Sequence, residues 1–269
     1  MPLPTPNDSL DDKTLMTRHR RSRIAEQVQR EGSVRVADLA ARFDVSEVTI
    51  RSDLVILERE GQLLRDRGGA LAKGNNHFVT SLLGVDQRAS LHLDKKRRIG
   101  AAAAQRVSPG DAILLDAGTT AVEIARRLTH ISPLTVVTNA LNVALELGAV
   151  SGQRLILLGG TFNRESASTV GSLTEQNLAE LSVQKLFLGT QAMNADGLTD
   201  STMEIAQAKR AMIRSSRQVI LVTDSSKWDT ASLTKVAPLT EIDTIITDTD
   251  LSFEARQQIE ALGIELVLV

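Results

Sequence analysis

The sequence predicts two domains of different class, a small N-terminal winged helix-turn-helix and a larger α/β domain with a mainly parallel sheet. Residues 32–70 have the pattern of two short helices, a tight turn and a hairpin. The rest of the chain alternates short apolar, β-branched runs with amphipathic helical stretches, which is typical of a sheet covered by helices on both faces. A length of 269 residues accommodates both domains.

Composition indicates an ordinary globular protein. Hydrophobic residues make up 42% of the chain and charged residues 24%, with a net charge of −2. No apolar run approaches the roughly 18 residues that a membrane span needs, so no membrane partner is expected. The absence of cysteine excludes disulfides and thiolate chemistry and fits the cytoplasm, where we expect the protein to act. Neither a metal nor a cofactor is expected, because no metal-ligand spacing relates His19, His77, His92 and His130.

Changes in composition divide the chain into four segments. Three prolines within the first six residues, with no apolar core of a signal peptide, predict a disordered leader. A polar stretch with glycine and asparagine after Lys73 predicts a linker. The expected segments are the leader at 1–16, the winged helix-turn-helix domain at 17–73, the linker at 74–93 and the α/β domain at 94–269.

The helix-turn-helix prediction rests on apolar spacing and on capping residues. Leu39 and Phe43 lie four residues apart and give the first helix one apolar stripe. Ser46 stands at the N-cap position of the second helix. Gly61 follows about fifteen residues later, where a helix of this length ends with a C′ glycine.

The second helix carries the candidate contacts to double-stranded DNA. Its N-terminal half is the part that usually enters the major groove, and arginine there binds guanine or phosphate. A helix pair with a merely solvated charged face is the alternative that such a pattern leaves open. The predicted DNA contacts are Arg21 near the first helix, Ser46, Val48, Thr49, Arg51 and Ser52 on the second, and Arg65 and Arg67 in the hairpin.

The larger domain is predicted from seven apolar runs and six helical patterns, of which one precedes the first run and five lie between runs. Runs that are apolar on both faces belong to buried, mainly parallel strands. The helices are expected at 94–107, 120–128, 141–147, 173–181, 204–215 and 253–262. The strands are expected at 112–118, 134–139, 154–160, 185–189, 218–224, 244–248 and 265–269.

Polar, glycine-rich strand ends predict a site for a small anion. Ligands of open α/β sheets bind at the carboxyl ends of the strands, where helix N-terminal amides attract negative charge. Gly118 permits close backbone approach, Lys227 offers a point charge, and Asp224 is an acceptor for sugar hydroxyls or an amine. Each strand end alone is equally compatible with simple turn chemistry. The candidate binding residues are Asp116, Gly118, Thr119, Thr120, Thr138, Asn139, Gly159, Gly160, Arg164, Glu204, Asp224 and Lys227.

The order of these motifs resembles the DeoR/GlpR family of bacterial regulators of sugar metabolism. The sequence around residues 46–54 and the final ELVLV are most similar to those of the family's amino-sugar regulators. The N-terminal signature comprises Val45-Ser46, Thr49-Ile50-Arg51, Asp53-Leu54, Leu57-Glu58, Gly61 and Gly68-Gly69-Ala70. The C-terminal signature comprises Asp116 to Thr120, Thr138-Asn139, Gly159-Gly160, Gly171, Phe187-Leu188-Gly189, Gly197-Leu198-Thr199 and Asp224 to Lys227.

The resemblance implies a repressor that a phosphorylated sugar or amino sugar releases from its operator. It also implies a homodimer or homotetramer, and a sensor domain related to ribose-5-phosphate isomerase and glucosamine-6-phosphate deaminase. Two positions depart from the family pattern. Ser52 replaces the second of two arginines in the recognition helix, and Arg67 replaces a histidine before Gly-Gly-Ala.

An isomerase or deaminase with a DNA-binding appendage is the alternative function. Such chemistry needs a carboxylate as general base. The isomerase pattern that the resemblance implies has an Asp-Gly-Ala-Asp-Glu run followed by Lys-Gly-Gly, whereas this chain has Leu-Gly-Thr-Gln-Ala at 188–192 and no Lys-Gly-Gly afterwards. We therefore expect no enzyme. A scaffold protein without a ligand would leave the polar strand ends unexplained.

The replacement at Ser52 can be tested directly. Ser52→Arg is expected to raise non-specific DNA affinity and to steepen the salt dependence by about one phosphate contact, because it restores a positive charge to the recognition helix. The slope of log affinity against log salt concentration measures this. An unchanged slope would place residue 52 away from the DNA backbone.

Overall fold

The computed structural model describes residues 8–31, 33–60, 62–66, 68–72, 77–79 and 84–269. The chain divides into two compact units between His77 and Phe78. This division falls inside the segment 74–93 that was expected to be a linker, and the latter part of that segment belongs to the second unit. Among the described residues, no helix has the length and apolar character needed to cross a membrane.

The first unit is a winged helix-turn-helix, as the sequence predicted. Its three short strands form an antiparallel sheet in the order β1-β3-β2. Ile24 and Val28 of the first helix pack with Leu39, Leu54 and Leu63 in its buried core. The elements are α1 (Asp8–Glu31), β1 (Ser33–Arg35), α2 (Val36–Phe43), α3 (Glu47–Arg59), β2 (Leu63–Asp66) and β3 (Gly69–Ala72).

The first and last residues of these elements test the predicted helix cap and the predicted start of the domain. The N-cap of α3 is Ser46, whose Oγ accepts a hydrogen bond of 3.2 Å from the backbone N–H of Thr49. Helix α1 begins at Asp8, earlier than the expected domain start at residue 17, since a helix can follow directly once the early prolines are passed. Residues 8–16 of the expected disordered leader (1–16) are therefore helical. The rest of that leader, the helix stop at Gly61 and the phosphate contact at Arg67 lie outside the described residues.

The second unit is built on a seven-stranded parallel sheet that contains all seven predicted strands. Its strands are β5 (Ala112–Leu115), β6 (Leu134–Thr138), β7 (Gln153–Leu157), β10 (Val183–Leu188), β13 (Ser216–Val222), β16 (Thr244–Thr247) and β17 (Glu265–Leu268). Their order is β17-β16-β13-β10-β5-β6-β7. Every pair of neighbours is parallel.

Helices cover both faces of this sheet, which is why its strands are apolar throughout. Leu114 of β5 packs on one face, whereas Ile113 and Leu115 pack on the other. Helices α8, α9 and α10 cover the first face, and α5, α6 and α7 cover the second. The helices are α4 (Val85–Ser90), α5 (Leu93–Ala104), α6 (Thr119–Leu128), α7 (Leu141–Leu147), α8 (Ser172–Ala179), α9 (Met203–Arg214) and α10 (Phe253–Ala261).

Short strands outside the large sheet are the part of the fold that the sequence pattern did not reveal. β11-β12-β15 form an antiparallel sheet, β8-β9 a hairpin, and β14 pairs with β4. Strands of three or four residues give too few alternations for a period-two signal. They are β4 (His77–Val79), β8 (Thr161–Asn163), β9 (Ser168–Val170), β11 (Ala192–Asn194), β12 (Gly197–Asp200), β14 (Thr230–Ser232) and β15 (Thr234–Ala237).

Two neighbouring glycines of the hairpin provide a matched test of the wing. A Cβ added at Gly69 would lie 1.8 Å from the carbonyl oxygen of Val34, whereas one at Gly68 meets no described atom within 4 Å. Gly69→Ala is therefore expected to destabilise the first unit by about 2 kcal/mol and to weaken DNA binding. Gly68→Ala should change both quantities little. Chemical unfolding and DNA titration measure the difference, and equal behaviour of the two variants would contradict the described packing.

Candidate nucleic-acid interface and anion site

The N-terminal half of α3 presents an exposed surface of mixed chemistry. Val48 is 69% exposed, and Ser52 donates from Oγ to the Val48 carbonyl oxygen over 3.0 Å. Arg51 is exposed and pairs with Glu47, with 2.6 Å between Arg51 Nη2 and Glu47 Oε2. Thr49 Oγ1 lies 2.9 Å from the Oγ of its cap, Ser46. An apolar contact for a thymine methyl, hydroxyl groups and a guanidinium are therefore combined on one helix end.

Arg21 has an interaction inside the domain that the sequence did not reveal. Asp53 of α3 is only 2% exposed and accepts hydrogen bonds from Nε of Arg20 at 2.7 Å and from Nε of Arg21 at 2.8 Å. This ion pair fastens α1 to α3. Arg21, predicted as a DNA contact, thus helps to position the recognition helix, and Asp53 beside the apolar Leu54 is the signal that would have indicated it.

Arg65 lies exposed on the first strand of the wing. Its backbone N–H donates to Glu58 Oε1 over 2.9 Å, and its Nη1 lies 3.7 Å from Glu58 Oε2. Glu58 therefore connects the end of α3 to the wing. The long, loosely paired guanidinium of Arg65 remains accessible for a phosphate beside the groove.

In the second unit, the loops that follow β5, β6, β10 and β13 form what is termed here the carboxyl edge of the sheet. Gly118 is the N-cap of α6 with φ of 148°, a conformation that favours glycine. A Cβ added there would meet no described atom within 4 Å. Thr119 and Thr120 are half-buried and begin α6. This helix start therefore offers backbone amides and two hydroxyls to an anion.

Asp116, which precedes this helix start, belongs to a buried ion cluster. Its carboxylate accepts 2.7 Å and 3.0 Å hydrogen bonds from the N–H groups of Ala117 and Gly189. Lys209 Nζ lies 3.4 Å from Asp116 and donates over 2.6 Å to Asp200. Lys209 also donates over 2.9 Å to the Gly189 carbonyl oxygen. Asp116, predicted as a ligand, is therefore a positioning residue in this arrangement.

Two carboxylates share one lysine in this cluster, and the direction of each pKa follows. Burial raises the pKa of Asp116 above its ordinary value, although Lys209 and the two N–H donors oppose this. Burial acts to lower the pKa of Lys209, but Asp116 and Asp200 outweigh it and raise that pKa. Lys209 is therefore a protonated cation. Sequence reasoning missed both Lys209 and Asp200; the signal was a lysine among the apolar positions of α9.

Thr138 and Asn139 lie at the end of β6 and differ in how fully their side chains are hydrogen-bonded. Thr138 Oγ1 donates to the Leu115 carbonyl oxygen over 2.8 Å and accepts from Ala140 N–H over 3.0 Å, so its hydroxyl joins two strand ends. Asn139 Nδ2 donates to the Thr169 carbonyl oxygen over 2.8 Å. Its Oδ1 is buried and has no hydrogen-bond partner in the described part of the chain. A ligand hydroxyl or amine would satisfy this acceptor.

Gly159, Gly160, Arg164 and Glu204 lie at the periphery. Gly160 has φ of 147°, and an added Cβ would lie 2.6 Å from the Val170 carbonyl oxygen, so the turn itself requires glycine. The N–H of Gly159 donates over 3.1 Å to a side-chain oxygen of α8. Arg164 at the β8–β9 hairpin and Glu204 at the start of α9 are both exposed. The structure gives the two glycines a packing role and leaves the two charges on the surface.

The loop after β13 combines a buried carboxylate with a half-buried lysine. Asp224 accepts hydrogen bonds from the N–H and Oγ of Ser226. Burial acts to raise the pKa of Asp224, but Lys227, Ser226, His92 and Lys96 together hold it below its usual range. Asp224 is therefore an ionised acceptor, and Lys227 provides a cation beside it.

Known proteins match both units. Residues 20–75 match the DeoR-like helix-turn-helix domain, and residues 91–249 match the DeoR C-terminal sensor domain. The chain belongs to the DeoR family of helix-turn-helix transcriptional regulators. The second unit is accordingly the DeoR sensor domain, and the first is its DNA-binding domain.

Full-length relatives in this family are named as regulators. A protein of Escherichia coli O157:H7 whose name refers to the aga operon is 35% identical, over 94% of each chain. The transcriptional repressor GlcR of Bacillus subtilis is 31% identical, over 91% of this chain and 93% of its own. The glycerol-3-phosphate regulon repressor of Escherichia coli K12 is 30% identical, over 93% of this chain and 98% of its own.

Solved structures show only a slight likeness. Ribose 5-phosphate isomerase A from Neisseria gonorrhoeae is 14% identical, with a TM-score of 0.37 over 55% of this chain and 56% of the enzyme. A likeness of this size carries no argument about activity.

The buried ion cluster gives a pH-dependent prediction. Lys209→Met leaves two buried carboxylates unpaired and should destabilise the sensor domain by about 3 kcal/mol near neutral pH. Without Lys209, the pKa of Asp116 rises further above its unfolded value, because burial is then less opposed. Ionising this buried carboxylate costs stability as pH rises, so the deficit against wild type should be smaller at pH 5 than at pH 8.

Chemical unfolding at both pH values measures this deficit. Lys235→Met, on an exposed position of β15, is the matched control and should stay within about 0.5 kcal/mol of wild type. A deficit in Lys209→Met that is the same at both pH values would exclude the shared-lysine arrangement.

Proposed function

We propose that this DeoR-family regulator is a repressor of sugar or amino-sugar genes, released from its operator by a phosphorylated sugar. The observation that supports this most is the open start of α6 at Gly118, which faces the same carboxyl edge of the sheet as Lys227. Amides at a helix start and a nearby lysine suit a phosphate. The same chain carries a DNA-binding domain, so binding of the ligand can change the affinity for DNA.

The DNA-binding half of the proposal uses the exposed end of α3 and the wing. Arg51 exchanges Glu47 for guanine or phosphate, and Val48, Thr49 and Ser52 approach the same groove. Ser46 holds the start of the helix, and Arg65 contacts flanking phosphate. Two or more copies of the chain in the cytoplasm bind repeated half-sites, because one recognition helix reads only a few base pairs.

The effector half uses the polar atoms of the carboxyl edge. Backbone amides at Gly118 to Thr120 and the Lys227 ammonium bind the phosphate. The buried Asn139 Oδ1 and the Asp224 carboxylate accept hydrogen bonds from hydroxyls or from an amine. An amino-sugar phosphate matches these two acceptors, and the relative named for the aga operon supports that choice of ligand class.

Release requires that the ligand binds one conformation better than the other. A sugar phosphate shifts the balance only by its difference in affinity between the DNA-bound and free conformations. The conformation that it favours has recognition helices that do not match the half-site spacing. Turnover of the sugar is not proposed, because Asp116 is bound to Lys209 and to two N–H groups.

A two-stage binding experiment tests this proposal. An operator is selected from random duplex DNA with the full chain, and hexose, pentose, glycerol and amino-sugar phosphates are screened by thermal shift. The stabilising compound is expected to lower operator affinity. Lys227→Gln should weaken binding of that compound by about tenfold, because a charged hydrogen bond to phosphate is lost.

Lys235→Gln is the control, since it removes an exposed lysine that lies on β15 and outside the loop after β13. Operator binding that no sugar phosphate alters would refute the effector half. Failure to select any DNA sequence would refute the operator half.

A further inference from the structure

The first residues of the sensor domain run across the carboxyl edge of the sheet. Residues 84–96, comprising α4, the following turn and the start of α5, are termed here the entry segment. Arg88 of this segment donates from Nη2 to the Glu165 carbonyl oxygen, at the β8–β9 hairpin, over 3.0 Å. Lys95 pairs with Asp248 at 2.7 Å and donates to Ser225 Oγ over 3.1 Å. The entry segment is thus attached to the β8–β9 hairpin and to the loops that follow β13 and β16.

A buried lysine fixes the backbone that carries Arg88. Lys96 is 5% exposed, and its Nζ donates to the carbonyl oxygens of Arg88 and Leu91 over 2.5 Å and 2.6 Å. Burial lowers the pKa of Lys96 to about 8, against the opposing effect of Asp224. Lys96 thus binds two carbonyl oxygens at the end of α4, and these hydrogen bonds hold the Arg88 backbone in place.

Helix α4, which carries Arg88, packs against α6, whose N-cap is Gly118. Burial lowers the pKa of Arg88, while the charges of Asp200, Asp116 and Glu165 act in the opposite direction. Asp116 immediately precedes the loop that opens at Gly118. An arginine from outside the sheet therefore approaches the helix start that is suited to an anion.

Charge balance explains why an arginine is needed here. In the described part of the chain, Asp116 and Asp200 both pair with Lys209, so two carboxylates share one ammonium group. A phosphate approaching Gly118 would be repelled by these carboxylates. Arg88 compensates for that charge, and a guanidinium can donate two parallel hydrogen bonds to phosphate oxygens.

We propose that Arg88 is an effector-binding residue, which contacts the phosphate of the sugar beside the Gly118–Thr120 loop. The inference rests on the proposed function, because it assigns a further ligand to the same site. It also links the ligand to the chain that leads to the DNA-binding domain. Phe78 begins the sensor domain, and Ser232 Oγ donates to the Val79 carbonyl oxygen over 2.8 Å. A phosphate held by Arg88 therefore stabilises the entry segment just after this connection.

Titration of the full chain with inorganic phosphate and with glucosamine 6-phosphate, followed by calorimetry, tests the assignment. Arg88→Gln is expected to weaken binding of both compounds by about tenfold, since the bidentate donor is lost. Arg88→Lys keeps the positive charge but not the bidentate guanidinium, and about a threefold loss of affinity is expected. Arg97→Gln is the matched control, because Arg97 is an exposed arginine of α5 paired only loosely with Asp94, at 3.8 Å. It should bind as wild type does.

The outcomes separate this inference from the proposed function. If wild type binds glucosamine 6-phosphate and Arg88→Gln binds it equally well, the role of Arg88 is overturned while the proposed function stands. If wild type binds neither compound nor any other sugar phosphate, both fail. If Arg88→Gln does not fold, by circular dichroism, Arg88→Lys decides: unchanged affinity overturns the assignment, and a selective loss against Arg97→Gln supports it.

Discussion

The sensor domain depends on one buried ammonium group, that of Lys209. It reaches from α9 to Asp200 at the end of β12, to the Gly189 carbonyl oxygen after β10 and to Asp116 after β5. The loop after β5 and two segments more than seventy residues further along the chain thereby share one cation. A buried charge of this kind tolerates little displacement, because any carboxylate that loses it remains unpaired in a medium of low dielectric constant. The start of α6 at Gly118 is fixed in consequence.

The DNA-binding domain repeats this principle on a smaller scale. Asp53 of the recognition helix is buried between Arg20 and Arg21 of α1, and the ion pairs fix one helix against the other. The residues proposed to contact DNA, such as Arg51 and Val48, stand on the opposite, exposed side of α3. In both domains, buried ion pairs fix the elements that carry the candidate binding surface, so charge alone does not distinguish a ligand contact from a structural one.

Much of the fold followed from the sequence because periodicity is a local property. The seven sheet strands and the Ser46 cap were predicted correctly, since each depends on a few consecutive residues. The candidate site was predicted less completely. Gly118 lies at a helix start as expected, but the partners of Asp116 come from about seventy and ninety residues along the chain. No local pattern connects such residues. Arg88 was missed for the same reason, because it precedes the sheet and meets its neighbours only after folding.

The sequence by itself determined the class of each domain, the family and the set of polar strand ends. Hydrophobic spacing, capping and turn chemistry act over a few residues and can be recognised in one dimension. Only the tertiary structure decided which polar groups face a ligand and which face each other. Thr138 and Asp116 have their hydrogen bonds satisfied within the protein, whereas Asn139 Oδ1 stands buried without a described partner. The physical reason is that hydrogen bonding and desolvation depend on neighbours in space, and a sequence does not give their distances.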